Sequence, residues 1–450
     1  MSWFPLAEDV VSMEKPNIFA EYHLKKDPTC LHEMANAIMS IQAIYGFAPV
    51  VYGKGAAAKT LYDLTARMKR EMQAEEPETP SQIDTMIIFD RQVDLISPLI
   101  TQLTYEGLID EFFGIKNSSV KLSSEKFARN QDDASLEASG EGHGSANVSV
   151  KQFPLSSSEE LYCDLRDKNF NAVGPTLSKK ARAIAQVYEE RERANSVQEL
   201  KSVVEKLPQM QALKQSLATH TSIAELVKEK TDMPSFLEFL QIEQELVNNQ
   251  NVHRTLDFVE DAACQGMELT RILRVACLQS VISNGLKPRT LETYRKLLLQ
   301  AYGHVHLTSM INLEKSKLLC SNSSTSASSI YSILRNRLRL TQDDVNEQNP
   351  NDITYVHSVY APLSIRLIQY CSTPGWKTIR DVLDMLPGNL IFNFFIDFDL
   401  PIRYHFDSQV LALRSTSNLV TKSRNDTKIK DPKRHLWFSL GDVLLPRYQP

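Results

Sequence analysis

Apolar residues recur along the chain in two rhythms. In "LHEMANAIMSIQAIYG" Leu31, Met34, Ile38, Ile41 and Tyr45 fall at helical spacing, which predicts an amphipathic helix ending near Gly46. "APVVYGKG" reads as a short strand and turn. Ala57, Leu61, Leu64 and Met68 mark the next helix, and "QAEEPETPSQ", with two prolines and no apolar rhythm, is a loop. "DTMIIF" does not alternate, so it predicts a strand covered on both faces. After "DRQVDLISP" the chain turns helical again through "LTYEGLIDEFF". This order predicts α/β layering around a largely parallel sheet.

Near Lys126 the pattern changes. "RNQDDASLEASGEGHGSANVSV" lacks large apolar residues and reads as a flexible excursion, expected at about 128–156. From Ser157 to Leu319 helices dominate. Ala181, Ile184, Val187 and Tyr188 line one helix, and Val197, Leu200, Val204 and Leu207 line the next. Met210, Leu213 and Leu217 continue that stripe. Pro208 has no amide hydrogen, so it is expected to end or kink the second helix. The pair reads as a helical hairpin at about 176–217 with a charged tip near Glu190 to Asn195, followed by helices at 235–247, 253–263, 268–283 and 289–301. "SNSSTSASS" is a second low-complexity loop.

Composition narrows the function classes. The 450 residues are 42% hydrophobic and 23% charged, ordinary values for a soluble protein with two or three domains. A formal net charge of -5 argues against a general nucleic-acid binder. No apolar run is long enough to span a bilayer, and "MSWFPLAEDVV" lacks the pattern of a signal peptide. Cys30, Cys163, Cys264, Cys277, Cys320 and Cys371 are scattered without a CxxC pair, against a zinc site or disulfide framework.

Candidate chemistry is sparse. Gly53, Lys54 and Gly55 do not match a phosphate loop and read as a tight turn into a helix. There is no GxSxG elbow, and His220, His253, His304 and His306 show no HExxH spacing. Asp90, Arg91 and Asp94 could form an acid/base group. The apolar run before them favours a structural role instead, because charges at a buried strand's end must be paired or hydrated. Asp110 is expected to brace the helix that follows. None of these readings yields a recognisable catalytic, cofactor or metal motif, which leaves an enzyme of the α/β class a distant alternative. The charged hairpin "KKARAIAQVYEERERANSVQELKSVVEKL" suits helices able to receive another helix.

Four ordered blocks carry a resemblance. "FDRQVDLISPLITQLTYEGLIDEFFGI", "RDKNFNAVGPTLSKKA", "QELKSVVEKLPQMQALKQSLATHTSIAEL" and "DDVNEQNPNDITYVHSVYAPLSIRLIQ" closely resemble the Sec/Munc (SM) family, in its vacuolar-sorting branch, and the likeness spans most of residues 8–388. The resemblance implies an arch-shaped protein that chaperones SNARE assembly. It implies a subunit of the HOPS and CORVET tethering complexes, peripheral on endosome, lysosome or vacuole membranes and active in autophagosome fusion.

By the family's pattern, the expected architecture is α/β plus a large helical insertion, an incomplete SM arch whose N-terminal domain is absent. Residues 1–118 would begin the sheet domain, 119–355 would form the helical domain, 356–388 would return to the sheet, and 389–450 is a divergent tail that does not align. The resemblance assigns SNARE binding to Leu200, Lys201, Val204, Leu207, Pro208, Met210 and Leu213, extended by His220 and Ile223. It assigns docking of vacuolar protein sorting-associated protein 16 to Arg295, His304 and Leu307, within "TYRKLLLQAYGHVHL", and a bracing role to Arg366. A form that binds this scaffold without supporting fusion is the alternative expectation.

Overall fold

The computed structural model describes residues 3–7, 10–71, 80–123, 150–193, 197–322, 330–372, 375–394 and 434–440, with backbone alone at 188, 190–193, 197–207, 372, 392–394 and 434–440. A short antiparallel pair, β1 (Phe4–Ala7) and β2 (Val10–Ser12), opens the chain. Helix α1 (Thr29–Tyr45) begins where Asp27 accepts from the backbone N–H of Thr29 at 2.9 Å, and it stops at Gly46, whose φ of +81° suits glycine. Strand β3 (Val50–Lys54), helix α2 (Ala56–Glu71) and strand β4 (Ile83–Asp90) follow.

The sheet has the order β7-β3-β4-β8, with β7 at Leu390–Phe394 and β8 at Arg434–Leu440. β3 and β8 both run parallel to β4, while β7 is antiparallel to β3. Both flanking strands come from the tail that the sequence could not place. Side chains of β3 and β4 alternate between two cores, as a strand covered on both faces requires. Val51, Met86 and Ile88 pack with α1 and α2, whereas Tyr52, Ile87 and Phe89 face the other way.

Between β4 and the later helices lie α3 (Tyr105–Phe113), the antiparallel pair β5 (Ser119–Ser123) and β6 (Val150–Pro154), and the short α4 (Glu160–Leu165). The expected excursion therefore gives up its last part to a strand. Next come α5 (Phe170–Arg193) and α6 (Val197–Thr231), then α7 (Pro234–Val247), α8 (Arg254–Cys264), α9 (Leu269–Ile282), α10 (Pro288–Tyr302) and α11 (Leu307–Lys315). Finally α12 (Ile330–Leu338), α13 (Leu363–Ser372) and α14 (Arg380–Met385) lead back to β7. The helix α6 runs unbroken through Pro208, so the expectation that Pro208 ends it is corrected.

The cores divide the chain differently from the boundaries read at 119 and 355. The second face of the sheet shares one core with α7 to α14, including Phe239, Val275, Leu298, Leu367 and Trp376. A separate core joins α3, β5, β6, α4, α5 and α6 through Tyr105, Val120, Phe153, Leu161, Val173 and Ile223.

Two aspartates organise the turn after β4. Asp90 is buried and accepts from the backbone N–H of Ala57, at the start of α2, and of Gln92, both at 3.0 Å. Burial opposes its charge, but hydrogen bonds from His23, Gln92 and Ala57 hold its carboxyl below the usual range. Gly55 is needed beside it: at φ +118°, an added Cβ would sit 2.1 Å from the Asp90 Cβ. Asp94 is also buried; it accepts from Ser97 N–H and hydroxyl at 3.1 and 2.7 Å, and from Ser364 N–H of α13 at 2.9 Å. Arg91 lies half-buried between them. Asp110 accepts from Ile115 N–H at 2.7 Å and so closes the C-terminal end of α3. Arg366 grips Asp352 with both guanidinium nitrogens, at 2.8 and 2.9 Å.

A buried charge node joins the two cores. Arg274 of α9 donates to both oxygens of Glu111 on α3 at 2.7 and 2.9 Å, to Glu243 of α7 at 3.1 Å, and to the Thr101 hydroxyl at 2.9 Å. Thr101 gives its N–H to Glu243 at 2.9 Å, and its carbonyl accepts from Nδ1 of His357 at 2.9 Å. Burial pushes the Glu243 carboxyl up to about 7 against the pull of Arg274, and pushes His357 down to about 4.

Asp94→Ala is expected to lower unfolding free energy by about 2–3 kcal/mol in denaturant titrations, because buried backbone donors lose their acceptor; a loss below about 0.5 kcal/mol would contradict this role. A second expectation concerns acid. His357 is neutral when folded and takes up its proton more readily when unfolded, so stability falls as pH drops from its ordinary 6.5 toward 4. Between pH 6.5 and 5 this group alone costs about 2 kcal/mol. His357→Gln should lose that much less stability over the interval, since the opposite titration of Glu243 is common to both proteins. Parallel pH profiles for the two would refute the assignment.

Candidate functional site

Among the described residues, α6 of the hairpin α5–α6 is the longest helix. Thirty-five residues of helix make α6 about 50 Å long. Its lower part is rooted: Ile223 and Val227 are buried, and Leu213, Leu217 and Ala224 pack against the same core. These positions recur at helical spacing, and the sequence continues the stripe upward through Met210, Leu207, Val204 and Leu200.

The nine positions assigned to SNARE binding therefore separate. Pro208 is exposed, Met210 is half-buried, and Leu213 is half-buried against the root. Leu200, Lys201, Val204 and Leu207 lie on the helical backbone of α6, and their side chains are outside the described residues. His220 and Ile223, expected to extend or support that surface, are 2% and 0% exposed inside the root: as extensions of the groove they are corrected, and support from beneath is the role left to them. A polar residue in a helix suggests solvent, but His220 falls three residues after Leu217, at a core position of the stripe. That spacing is the signal that could have placed it.

His220 is held from two sides. Its Nδ1 lies 3.0 Å from the Tyr105 hydroxyl of α3, and its Nε2 lies 3.1 Å from Glu159, just before α4. The ring stacks on Tyr162 at 5.8 Å between centroids. Ser216 donates its hydroxyl to the same Glu159 oxygen. Hydrogen bonds from His220 and Ser216, working against burial, hold the Glu159 carboxyl below the usual range. The fully buried Tyr105 hydroxyl is pushed well above its ordinary value by loss of solvent. The phenol therefore stays protonated, and the arrangement is a brace rather than a proton relay.

A second surface lies at the junction of α10 and α11. Gly303, at φ +89°, lets α10 turn into the short 3₁₀ segment His304–His306. His304 and Leu307 are exposed there, as are Val305 and Ile311, which leaves a small apolar patch in solvent. Arg295 is held by Glu314 and, at 3.4 Å, by Glu292. Beside it opens a cavity of about 460 Å³ lined by Pro288, Leu291, Arg295, Glu314 and Cys320. The structure thus places His304 and Leu307 together at the α10–α11 junction, whereas Arg295 lies about two turns back along α10, against Glu314 at the other end of α11. Among the described residues no cluster of three metal-ligating side chains occurs, and no helix is long and apolar enough to cross a membrane.

Known proteins show the same organisation. Vacuolar protein sorting-associated protein 33A of Rattus norvegicus is 45% identical over 384 residues, which covers 85% of this chain and 63% of that protein. The chain thus matches under two thirds of its relative's length. The SM protein Vps45, solved in complex with the Qa SNARE Tlg2, superposes with a TM-score of 0.56 at 14% identity, covering 88% of this chain and 66% of Vps45. Sly1p, solved with an N-terminal peptide of Sed5p, gives a TM-score of 0.59 at 13% identity, covering 98% and 71%. At such identities the likeness is one of fold, and it supports the mixed α/β and helical SM architecture. Residues 1–441 match the Sec1 family, and the chain belongs to that family.

Proposed function

We propose that the chain is a non-enzymatic SNARE chaperone and a subunit of the HOPS and CORVET tethers. In this reading it acts peripherally at endosome, lysosome or vacuole membranes and in autophagosome fusion. The carrying observation is the α6 stripe, buried at its root and continued by sequence spacing along the rest of the helix. An amphipathic SNARE helix is its natural complement: Leu200, Val204, Leu207 and Met210 would bury against the guest's apolar face, and Lys201 would pair with its polar flank. The Qa SNARE in the Vps45 complex and the 45% identity to a vacuolar sorting protein support the same direction.

The α10–α11 end is the proposed docking face for vacuolar protein sorting-associated protein 16. Exposed Leu307, 42% accessible, and Val305, 66% accessible, provide apolar contact, and Arg295 supplies a charge already oriented by Glu314. No cofactor is required for either task.

Pro208 tunes the hairpin. It gives no N–H to the carbonyl of Val204, so it weakens a helix that the structure nevertheless extends through it. Pro208→Ala restores that bond and is expected to speed SNARE assembly on the chain. Leu207→Asp is expected to slow it and to weaken binding of vesicle and target SNARE helices about tenfold or more, by setting a charge against an apolar guest. Unchanged affinities and assembly rates in both, with folding verified by circular dichroism, would remove the template from this surface. Separately, Leu307→Asp should abolish capture of vacuolar protein sorting-associated protein 16 while leaving the circular dichroism spectrum intact; retained capture would refute the face. Capture of the scaffold by a chain that binds no SNARE helix would favour the fusion-incompetent alternative.

A further inference from the structure

Both legs of the hairpin are fastened to one short element. Glu159 leaves its own helix uncapped and directs its carboxylate to α6, where it meets Ser216 and, at 3.1 Å, His220. One residue further on, Glu160 reaches Lys180 of α5 at 3.2 Å, and Asp164, on the next turn of α4, reaches the same lysine at 2.7 Å. On its far side His220 contacts Tyr105, which is fully buried at the start of α3. The N–H of Tyr105 in turn donates to the carbonyl of Lys168 at 2.9 Å, just before α5. The acidic edge of α4 therefore clips α5 and α6 from one side while Tyr105 fixes α6 from the other.

The position of this clip matters for geometry. His220 lies on the same stripe as Leu213, Leu217 and Ile223, so the ring that is gripped marks the rotational setting of α6. Apolar packing alone tolerates rotation or sliding, because leucine and isoleucine contacts are not directional. Hydrogen bonds to a charged carboxylate at about 3 Å are directional and fix one setting. A change of about 100° in rotation, one residue of helix, would turn the whole upper stripe away from a guest.

We propose that Glu159, with His220 and Tyr105, is a positioning clasp that sets the rotation and angle of the hairpin, and thereby the face α6 presents to a SNARE helix. The inference rests on the chaperone reading for its consequence, but the clasp itself is a statement about geometry. Glu159, His220 and Tyr105 touch no guest in this scheme.

The test uses the full chain carrying two spectroscopic labels on unnatural amino acids, since Cys163 and Cys264 are exposed. One label replaces Gln211 on α6 and the other Ala43 on α1; both positions are exposed and outside the clasp. In the parent a single narrow distance is expected. Glu159→Ala should broaden or shift it and weaken binding of a labelled Qa-SNARE helix about tenfold. Glu159→Gln keeps an oxygen acceptor for His220 and Ser216, and should restore the distance and bring affinity to within about twofold of the parent. If Glu159→Ala merely lowers the melting temperature while distance and affinity stay at parental values, or if Glu159→Gln is as broad as Glu159→Ala, the clasp is wrong. Where Glu159→Ala does not fold, Ser216→Ala removes one partner of the same carboxylate and is judged by the same two readouts. A parent that binds no SNARE helix would sink the chaperone reading alone, and the distance measurement would still decide the clasp.

Discussion

The fold depends on one buried cation. Arg274 holds Glu111 and Glu243, and with them the Thr101 backbone and His357, in a node where Glu243 is fully buried and Arg274 and Glu111 keep 12% and 20% exposure. Two carboxylates and one guanidinium removed from water are costly unless every lone pair is met, and here Thr101 meets those that Arg274 leaves. The node draws α3, which belongs to the hairpin's core, onto α7 and α9, which belong to the sheet's core. It therefore sets the base from which the hairpin projects. Removing Arg274 would strand two acids at the seam between the cores, whereas loss of a single leucine would only leave a void.

Further buried polar groups fix the segments around that base. The loop after β4 is fixed by Asp90 and Asp94, each spent on backbone N–H groups at the starts of α2 and α13. Both carboxylates accept hydrogen bonds from the turn and from the helices that follow it. Tyr105 contacts His220 in the root of α6, Glu159 meets the same helix at Ser216 and His220, and Glu160 and Asp164 reach Lys180 on α5.

Much of this was legible in the sequence where local physics decides. Helices α7 to α10 fall within about two residues of their apolar periodicities because Pro234, Pro288 and Gly303 punctuate them. The unbroken apolar run before Asp90 announced a strand covered on both faces, and β4 is one. What stayed hidden is non-local. Glu243 and Arg274 sit on helices whose charges look solvated, and Glu243 meets Thr101 across 142 residues. The flanking strands β7 and β8 pair with β3 and β4 from a tail whose pattern offered no register. The burial of His220 depends on Tyr105 and Glu159, which lie 115 and 61 residues away in the chain. Pro208 predicts an end or a kink, and α6 nevertheless continues through it.

The central claim is that the free stripe of α6 receives a SNARE helix. Site-specific photo-crosslinking addresses it directly. A photoreactive residue at Met210, on the stripe, is compared with one at Met385, an exposed apolar position on α14. Each full-length chain is mixed with a Qa-SNARE helix and irradiated. The account expects a crosslinked SNARE adduct from position 210 and background from position 385. Equal yields at both positions, or an adduct from position 385 alone, would contradict it.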